Sequence, residues 1–108
     1  LTISPEMVEE MDLPVETGVL VFQVEPGGPA AKAGLRGGGR ETVVSGRPML
    51  AGGDIVIAVD GETVKRFDDL INYLAMRTSV GDTLTLTLVR GESEIQVDVK
   101  LEERPINR

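Results

Sequence analysis

The sequence contains no cysteine and no histidine among its 108 residues. Without cysteine there is no disulfide framework and no thiolate metal site, although an oxidising compartment stays open as a location. Without histidine there is no Ser-His-Asp or Cys-His arrangement and no imidazole ligand for a metal. These absences remove most hydrolase chemistry, and we expect the chain to be non-catalytic, with no cofactor and no metal site.

Basic residues are also scarce, since 11 Lys and Arg stand against 18 Asp and Glu, for a net charge of -7. A surface of that sign repels polyanions, so nucleic acid is not an expected partner. No apolar run approaches the roughly 20 residues that cross a bilayer, and we expect no direct membrane insertion. The length allows one domain with one modest core.

The glycine-rich stretches do not form a phosphate-binding loop. Neither "PGGPAAKAGL" (26–35) nor "RGGGRETVVSG" (36–46) has the order of Gly, Lys and hydroxyl residues that cradles a phosphate. The adjacent acids Asp68 and Asp69 diverge on a helix instead of sharing a substrate. Turns and solvated faces explain both patterns better than catalysis does.

Local signals predict two short helices. Ser4 is a favourable N-cap, Pro5 suits the first helical position, and the helix should run to about Met11. Pro29 begins the second helix, and Gly34 is placed to end it in a left-handed conformation.

Alternating and continuous apolar runs predict the strands. Residues 18–24 are apolar on both faces, which indicates a central strand. Within residues 36–53, the apolar segments "ETVV" and "PMLA" stand on either side of "SGR". This arrangement suggests a small hairpin that projects from the surface. Residues 54–61 form a strand and turn, and residues 83–101 form two antiparallel strands with one wet face. The expected fold class is α+β, mostly β, a small partly open barrel or sandwich with two to three short helices.

A third helix is indicated by the spacing of the apolar residues in "FDDLINYLAM". Its apolar arc is wide enough for two roles, with Leu70 and Leu74 serving the core and Phe67 and Ile71 at the edge. Beside an open strand edge, such an arc would form an apolar pocket for a peptide added as an extra strand. Periodicity alone leaves open the alternative that all four are core residues.

Three segments in order, "GVLVFQVEPGGPAAKAGL", "GGDIVIAVDGETVKRFDDLINYL" and "VGDTLTLTLVRGESEIQVDVKL", resemble the PDZ domain of HtrA/Deg-type serine proteases. The resemblance covers nearly the whole chain and implies one PDZ domain over residues 1–103, followed by a loose tail over 104–108. It also implies that the family's carboxylate-binding loop belongs just ahead of Leu1, so we expect a domain truncated at its N-terminus. The implied location is periplasmic, extracytoplasmic or membrane-anchored through a parent protein.

In the resembled family, a peptide lies between one strand and the long helix, held by backbone hydrogen bonds and side-chain pockets. Carried over by position, the implied groove residues are Leu1, Ile3, Phe67, Leu70, Ile71, Leu74 and Arg77. Phe67 at the helix start implies a preference for hydrophobic ligand side chains. The expected partners are peptides or unfolded segments with apolar C-termini, together with an upstream protease domain in cis to which substrate is delivered.

Two other interpretations stay open at this point. One is a structural docking domain that holds subunits or secretion components together and reads no free peptide. The other is the PDZ domain of an intramembrane or tail-specific protease. The 36–53 insertion fits either a contact with the protease domain or, as we prefer, a decorated surface loop.

Overall fold

A computed structural model describes residues 1–102, so the predicted tail 104–108 and the predicted domain end at residue 103 lie outside the described residues. The helices are α1 (Pro5–Met11), α2 (Pro29–Ala33) and α3 (Phe67–Arg77). The strands are β1 (Val19–Leu20), β2 (Arg40–Val44), β3 (Arg47–Ala51), β4 (Ile55–Val59), β5 (Glu62–Thr63), β6 (Thr83–Arg90) and β7 (Ser93–Lys100).

The strands form two antiparallel sheets. The main sheet has the order β1-β4-β6-β7, with β5 paired to β4, and the second sheet is the β2–β3 hairpin. Residues 1–3 extend the main sheet beyond β1, because Thr2 forms an antiparallel bridge with Val19. The main sheet therefore runs from residues 1–3 at one edge to β7 at the other, and the fold is of the predicted α+β, mostly β class.

Apolar side chains fill two clusters on opposite faces of the main sheet. Neighbouring strand residues such as Val19 and Leu20 belong to different clusters, as expected from the alternation of side chains along a strand. The first cluster is covered by side chains of α2 and α3, among them Leu70. The second is covered by α1 and the β2–β3 hairpin, through Met7 and Val44.

The predicted ends of the first two helices are confirmed. The Ser4 hydroxyl accepts a hydrogen bond from the Met7 N–H at 3.2 Å and caps α1, which ends at Met11. Pro29 is the first residue of α2, and Gly34 caps its other end with a φ of 94°. This left-handed conformation favours glycine, as the sequence pattern indicates.

The prediction of a strand over residues 18–24 is wrong in its length, since regular pairing covers only Val19–Leu20. Leu1 is opposite Leu20, and within residues 1–102 no strand pairs with positions 21–24 on that side. On the other side, the Val21 N–H donates to the Asp54 carbonyl at 2.8 Å, and the Phe22 carbonyl accepts from Gly38. Gly18, Val19 and Leu20 are buried as predicted, whereas Val21, Phe22 and Val24 are only half-buried and Gln23 is exposed.

The hairpin is present, but the prediction that it projects from the surface is wrong. Its turn is Ser45-Gly46, where φ is 50° and 79°. Val44 and Ala51 are buried, and the Ser45 N–H donates to the Glu10 carboxylate at 3.1 Å. One face of the ribbon is therefore part of the core, and its turn is held against α1.

A buried ion pair connects Asp54, the residue before β4, to Arg90 of β6. Asp54 is 1% exposed, and its carboxylate accepts 2.8 Å hydrogen bonds from Nε and one terminal nitrogen of Arg90 and from the Arg36 N–H. Burial opposes ionisation of this carboxyl, but the hydrogen bonds from Arg90 and Arg36 outweigh it and lower the pKa of Asp54. Arg90 also donates to the Gly34 carbonyl, so the pair fixes the segment that leads into the hairpin.

Candidate functional site

Residues 1–3 form an open sheet edge. The Leu1 nitrogen and carbonyl pair with Leu20 at 3.0 and 2.7 Å, and the Ile3 N–H donates to the Gly18 carbonyl at 3.0 Å. Because antiparallel pairing alternates sides, the N–H and C=O of Thr2 face away from β1. Neither group has a backbone partner within residues 1–102. Thr2 thus offers one donor and one acceptor to an added strand.

The first turn of α3 lies beside this edge. The Phe67 N–H donates to the side-chain oxygen Oγ1 of Thr2 at 2.8 Å, which satisfies one of the free donors at the helix start. The bond uses the hydroxyl of Thr2 and leaves its backbone groups open. The sheet edge at Thr2 and the first turn of α3 therefore lie side by side.

The helix also exposes apolar side chains near its start. Phe67 and Ile71 are 45% and 44% exposed, and a spacing of four places them one above the other on the same face. Leu70 and Leu74 are half-buried and pack against the first core cluster. The helix thus serves both core and surface, as one of the sequence interpretations anticipated.

The start of α3 is fixed by Asp69. Its carboxylate accepts hydrogen bonds from the N–H groups of Lys65 and Arg66 at 3.0 and 3.1 Å. Those bonds lower the pKa of Asp69, since they favour the charged carboxylate. Asp69 therefore caps the start of α3.

Polar contacts hold the opposite side of α3 to the sheet. The Tyr73 hydroxyl donates to Asp60 at 2.5 Å, and Arg77 donates to Glu62 at 2.6 Å. The Arg77 guanidinium also lies 5.7 Å from the centre of the Tyr73 ring, within cation–π range. A cleft of about 440 Å³ separates this side of α3 from β5. The helix is thus anchored on the side away from Phe67 and Ile71.

The contacts between Tyr73 and Asp60 shift the pKa values of both groups. The Thr85 N–H, followed by the Tyr73 hydroxyl, donates to Asp60 and lowers the pKa of that carboxyl. The same bond raises the pKa of Tyr73, because loss of its proton would leave two negative groups in contact. Tyr73 therefore remains a neutral donor in this arrangement.

The seven predicted groove residues divide into three groups. Leu1, Phe67 and Ile71 are exposed near the open edge, whereas Leu70 and Leu74 are half-buried beneath it. Ile3 is 6% exposed in the second core cluster, and Arg77 is directed towards β5. The peptide-binding role of these residues stays a prediction.

Sequence reasoning missed Thr2, which provides both the open backbone groups and the contact to the helix. Alternation along residues 1–3 signals a strand, but the side on which Thr2 is open depends on its pairing with β1.

Over residues 1–102, no group of three or more acidic residues is arranged to hold a metal ion.

The match to a family model defines the class of this protein. The model of the PDZ domain matches residues 1–101, and the chain belongs to the PDZ family. More particularly, it is similar to HtrA/DegP-type proteases. It is 38% identical over 89 residues to Protease Do-like 1, chloroplastic, of Arabidopsis thaliana, covering 82% of this chain and 19% of that protein.

Other relatives agree with this placement. Protease Do-like 8, chloroplastic, of Arabidopsis thaliana is 36% identical over 96% of this chain and 22% of its own length. Periplasmic serine endoprotease DegP of Escherichia coli is 26% identical over 98% of this chain and 19% of its own length. The chain thus spans about a fifth of the curated relatives it matches. It is a PDZ domain, and the catalytic activity of these relatives lies in a separate protease domain.

Solved structures show the same fold. The HtrA-type protease AlgW with a bound decapeptide superposes with a TM-score of 0.71 at 21% identity, over 99% of this chain and 28% of that one. The PDZ domain of the SdrC-like protein of Listeria monocytogenes gives a TM-score of 0.57 at 27% identity, over 83% of this chain and 77% of its own. Within residues 1–102, no helix has the length and apolar character needed to span a bilayer.

Proposed function

We propose that this domain binds extended peptide segments with apolar side chains, by adding them as a further strand to the edge formed by residues 1–3. The observation that carries the proposal is the open backbone of Thr2 beside the first turn of α3. Strand addition needs a free N–H and C=O on one wall and side-chain pockets on the other. Thr2 provides the first, and the exposed side chains of Phe67 and Ile71 provide the second.

The chemistry of the helix wall supports apolar ligands. Phe67 and Ile71 both expose nearly half of their surface, and burial of apolar area contributes about 25 cal/mol per Å². The polar groups of α3, Tyr73 and Arg77, are engaged with Asp60 and Glu62 on the other side of the helix. The groove side thus offers apolar contacts, while the backbone of the edge supplies direction and register.

We further propose that peptide binding serves a protease domain in the same polypeptide, by delivering or regulating substrate. Two facts support this part. The relatives are named as proteases, and the matched region accounts for about a fifth of their length. One of the solved relatives is a protease with a decapeptide bound. The periplasmic and chloroplastic names of the relatives support an extracytoplasmic or organellar location.

The test uses methyl-labelled isoleucine in the 108-residue chain and a decapeptide with apolar residues at its last three positions. Peptide addition should shift the Ile71 methyl resonance in a saturable manner, because the side chain lies at the groove. The Ile95 methyl, on β7 at the other edge of the sheet, should stay in place and serves as the internal control. A shift of Ile95 without a shift of Ile71 would contradict the proposed groove. The same peptide with an amidated C-terminus reports whether the terminal carboxylate contributes.

A further inference from the structure

The main sheet has a second open edge, at β7. This strand pairs with β6 along all eight of its residues and is the last strand of the sheet. Within residues 1–102, no strand pairs with its outer side, although α2 packs against β7. A long, regular and unpaired edge is a template for another strand, and proteins usually block such an edge with charge, proline or a bulge.

The hairpin fixes which residues of β7 have open backbone groups. The β6–β7 turn has two residues, between Arg90 and Ser93. In such a turn Ser93 exchanges backbone hydrogen bonds with Arg90, and every second residue of β7 after Ser93 also bonds to β6. The N–H and C=O groups of the alternate residues point outward instead. The outward set consists of Glu94, Gln96, Asp98 and Lys100.

We propose that β7 pairs antiparallel with β7 of a second copy of this chain, around a two-fold axis at Val97. In this register Glu94 faces Lys100 of the second copy, and Gln96 faces Asp98. All four are outward residues, so each facing pair exchanges two backbone hydrogen bonds, and Val97 meets its own copy between them. The symmetry repeats every contact, which gives a self-complementary interface of the kind that two-fold dimers use.

Charge selects this register over its neighbours. If the two-fold axis lies at Gln96 instead, Glu94 of one copy faces Asp98 of the other. If the axis lies at Asp98, the Asp98 carboxylates of the two copies face each other. Facing like charges destabilise a strand pair, whereas facing opposite charges stabilise it. Lys100 has no ion-pair partner within residues 1–102, so its charge is available to a second copy. Charge therefore disfavours the two adjacent registers and favours the one centred on Val97.

The inference is independent of the proposed peptide groove. Residues 1–3 and β7 lie at opposite edges of the main sheet, so pairing through β7 leaves Thr2 and α3 uncovered. The dimer would carry two free grooves on one continuous sheet. The interface is small, of the size of weak and transient contacts, and its exposed ion pairs are screened by salt.

Charge exchange tests the register directly. Sedimentation velocity of the 108-residue chain should show reversible dimerisation that strengthens with concentration and weakens with added salt. In the proposed register, Lys100→Glu places two glutamates opposite each other, and Glu94→Lys places two lysines opposite each other. The symmetry repeats each repulsive pair, so each variant should weaken dimerisation at least about tenfold. The double variant Glu94→Lys/Lys100→Glu restores opposite charges in the same register and should recover wild-type association.

Two controls separate this result from general effects. Lys65→Glu changes the net charge by the same amount as Lys100→Glu but lies away from β7, and it should dimerise like the wild type. Amide exchange measured by NMR should show the N–H groups of Gln96 and Asp98 gaining protection with concentration, because they are outward and open in the monomer. A wild-type chain that stays monomeric at its highest soluble concentration would overturn the proposal. So would a double variant that dimerises no better than the single ones.

Discussion

Thr2 and Phe67 are joined by a hydrogen bond of 2.8 Å that links the sheet edge at residues 1–3 to the first turn of α3. The acceptor is the hydroxyl of Thr2, and the donor is the first N–H of α3. The bond sets the distance between the sheet edge and the helix at one end of the proposed groove, while the backbone of Thr2 stays open to a ligand. The geometry of the proposed groove therefore depends on the side chain of Thr2, although only the backbone of Thr2 is available to pair with a peptide.

Replacing Thr2 with valine tests the importance of this bond. The substitution keeps the shape of the side chain but removes the oxygen, so we expect a loss of about 1 kcal/mol in the free energy of unfolding. Peptide affinity should fall about threefold to tenfold, because the helix start is no longer held at the edge. Calorimetric titration and chemical denaturation measure the two effects. Thr83→Val, an exposed change on β6, is the matched control and should alter neither quantity measurably.

The ion pair between Asp54 and Arg90 should dominate the polar contribution to stability. Asp54→Ala leaves the Arg90 guanidinium without its partner, and we expect a loss of about 3 kcal/mol in the free energy of unfolding. The exposed pair Lys32–Glu102, at 3.0 Å, provides the comparison. Lys32→Gln should cost less than about 1 kcal/mol, since both side chains are well solvated. Equal losses in the two variants would contradict the assigned role of burial.

The same pair predicts how stability depends on pH. Asp54 has a lowered pKa in the folded state and an ordinary pKa near 3.9 when unfolded, so its stabilisation is present above about pH 4. As pH falls through the folded pKa, the carboxyl is protonated and the contribution disappears. The difference in free energy of unfolding between wild type and Asp54→Asn should therefore be larger at pH 7 than at pH 3. A difference that is constant over this range would show that the charge of Asp54 is not involved.

Tyr73 is the one tyrosine of the sequence, so its ionisation can be followed by ultraviolet absorbance without assignment. The hydrogen bond to Asp60 predicts a pKa above the ordinary value near 10. Asp60→Asn removes the negative acceptor and should bring the pKa of Tyr73 back towards that value. A wild-type tyrosine that titrates near 10 would show that α3 is not anchored to Asp60 in solution.

Local sequence signals predicted the parts of this fold that depend on a few neighbouring residues. The helix ends at Ser4 and Gly34 follow from capping chemistry, and the hairpin around Ser45-Gly46 follows from the apolar segments on either side of its turn. The resemblance to PDZ domains supplied the order of these pieces, and the family match confirmed it.

Features that depend on distant residues could not be predicted in this way. The strand predicted over residues 18–24 was too long because composition does not show that regular pairing stops after Leu20. The hairpin was predicted to project from the surface because nothing local shows that Val44 joins the same core cluster as Met7. The contact between Asp54 and Arg90 spans 36 residues and leaves no pattern in either segment. Periodicity left open whether Phe67 and Ile71 are core residues, and only the structure shows that Leu70 and Leu74 pack against the core while Phe67 and Ile71 are exposed.

The central claim is that the exposed apolar face of α3 forms a peptide groove with the edge at residues 1–3. Fluorescence anisotropy with a labelled decapeptide, apolar at its last three positions, compares Ile71→Asp with Met76→Asp in the 108-residue chain. Met76 is 84% exposed on another face of the same helix, so both variants add one carboxylate to α3. We predict that Ile71→Asp lowers peptide affinity at least tenfold, about 1.4 kcal/mol or more, with an unchanged melting temperature, while Met76→Asp binds like the wild type. Equal affinity in Ile71→Asp and wild type would contradict the groove.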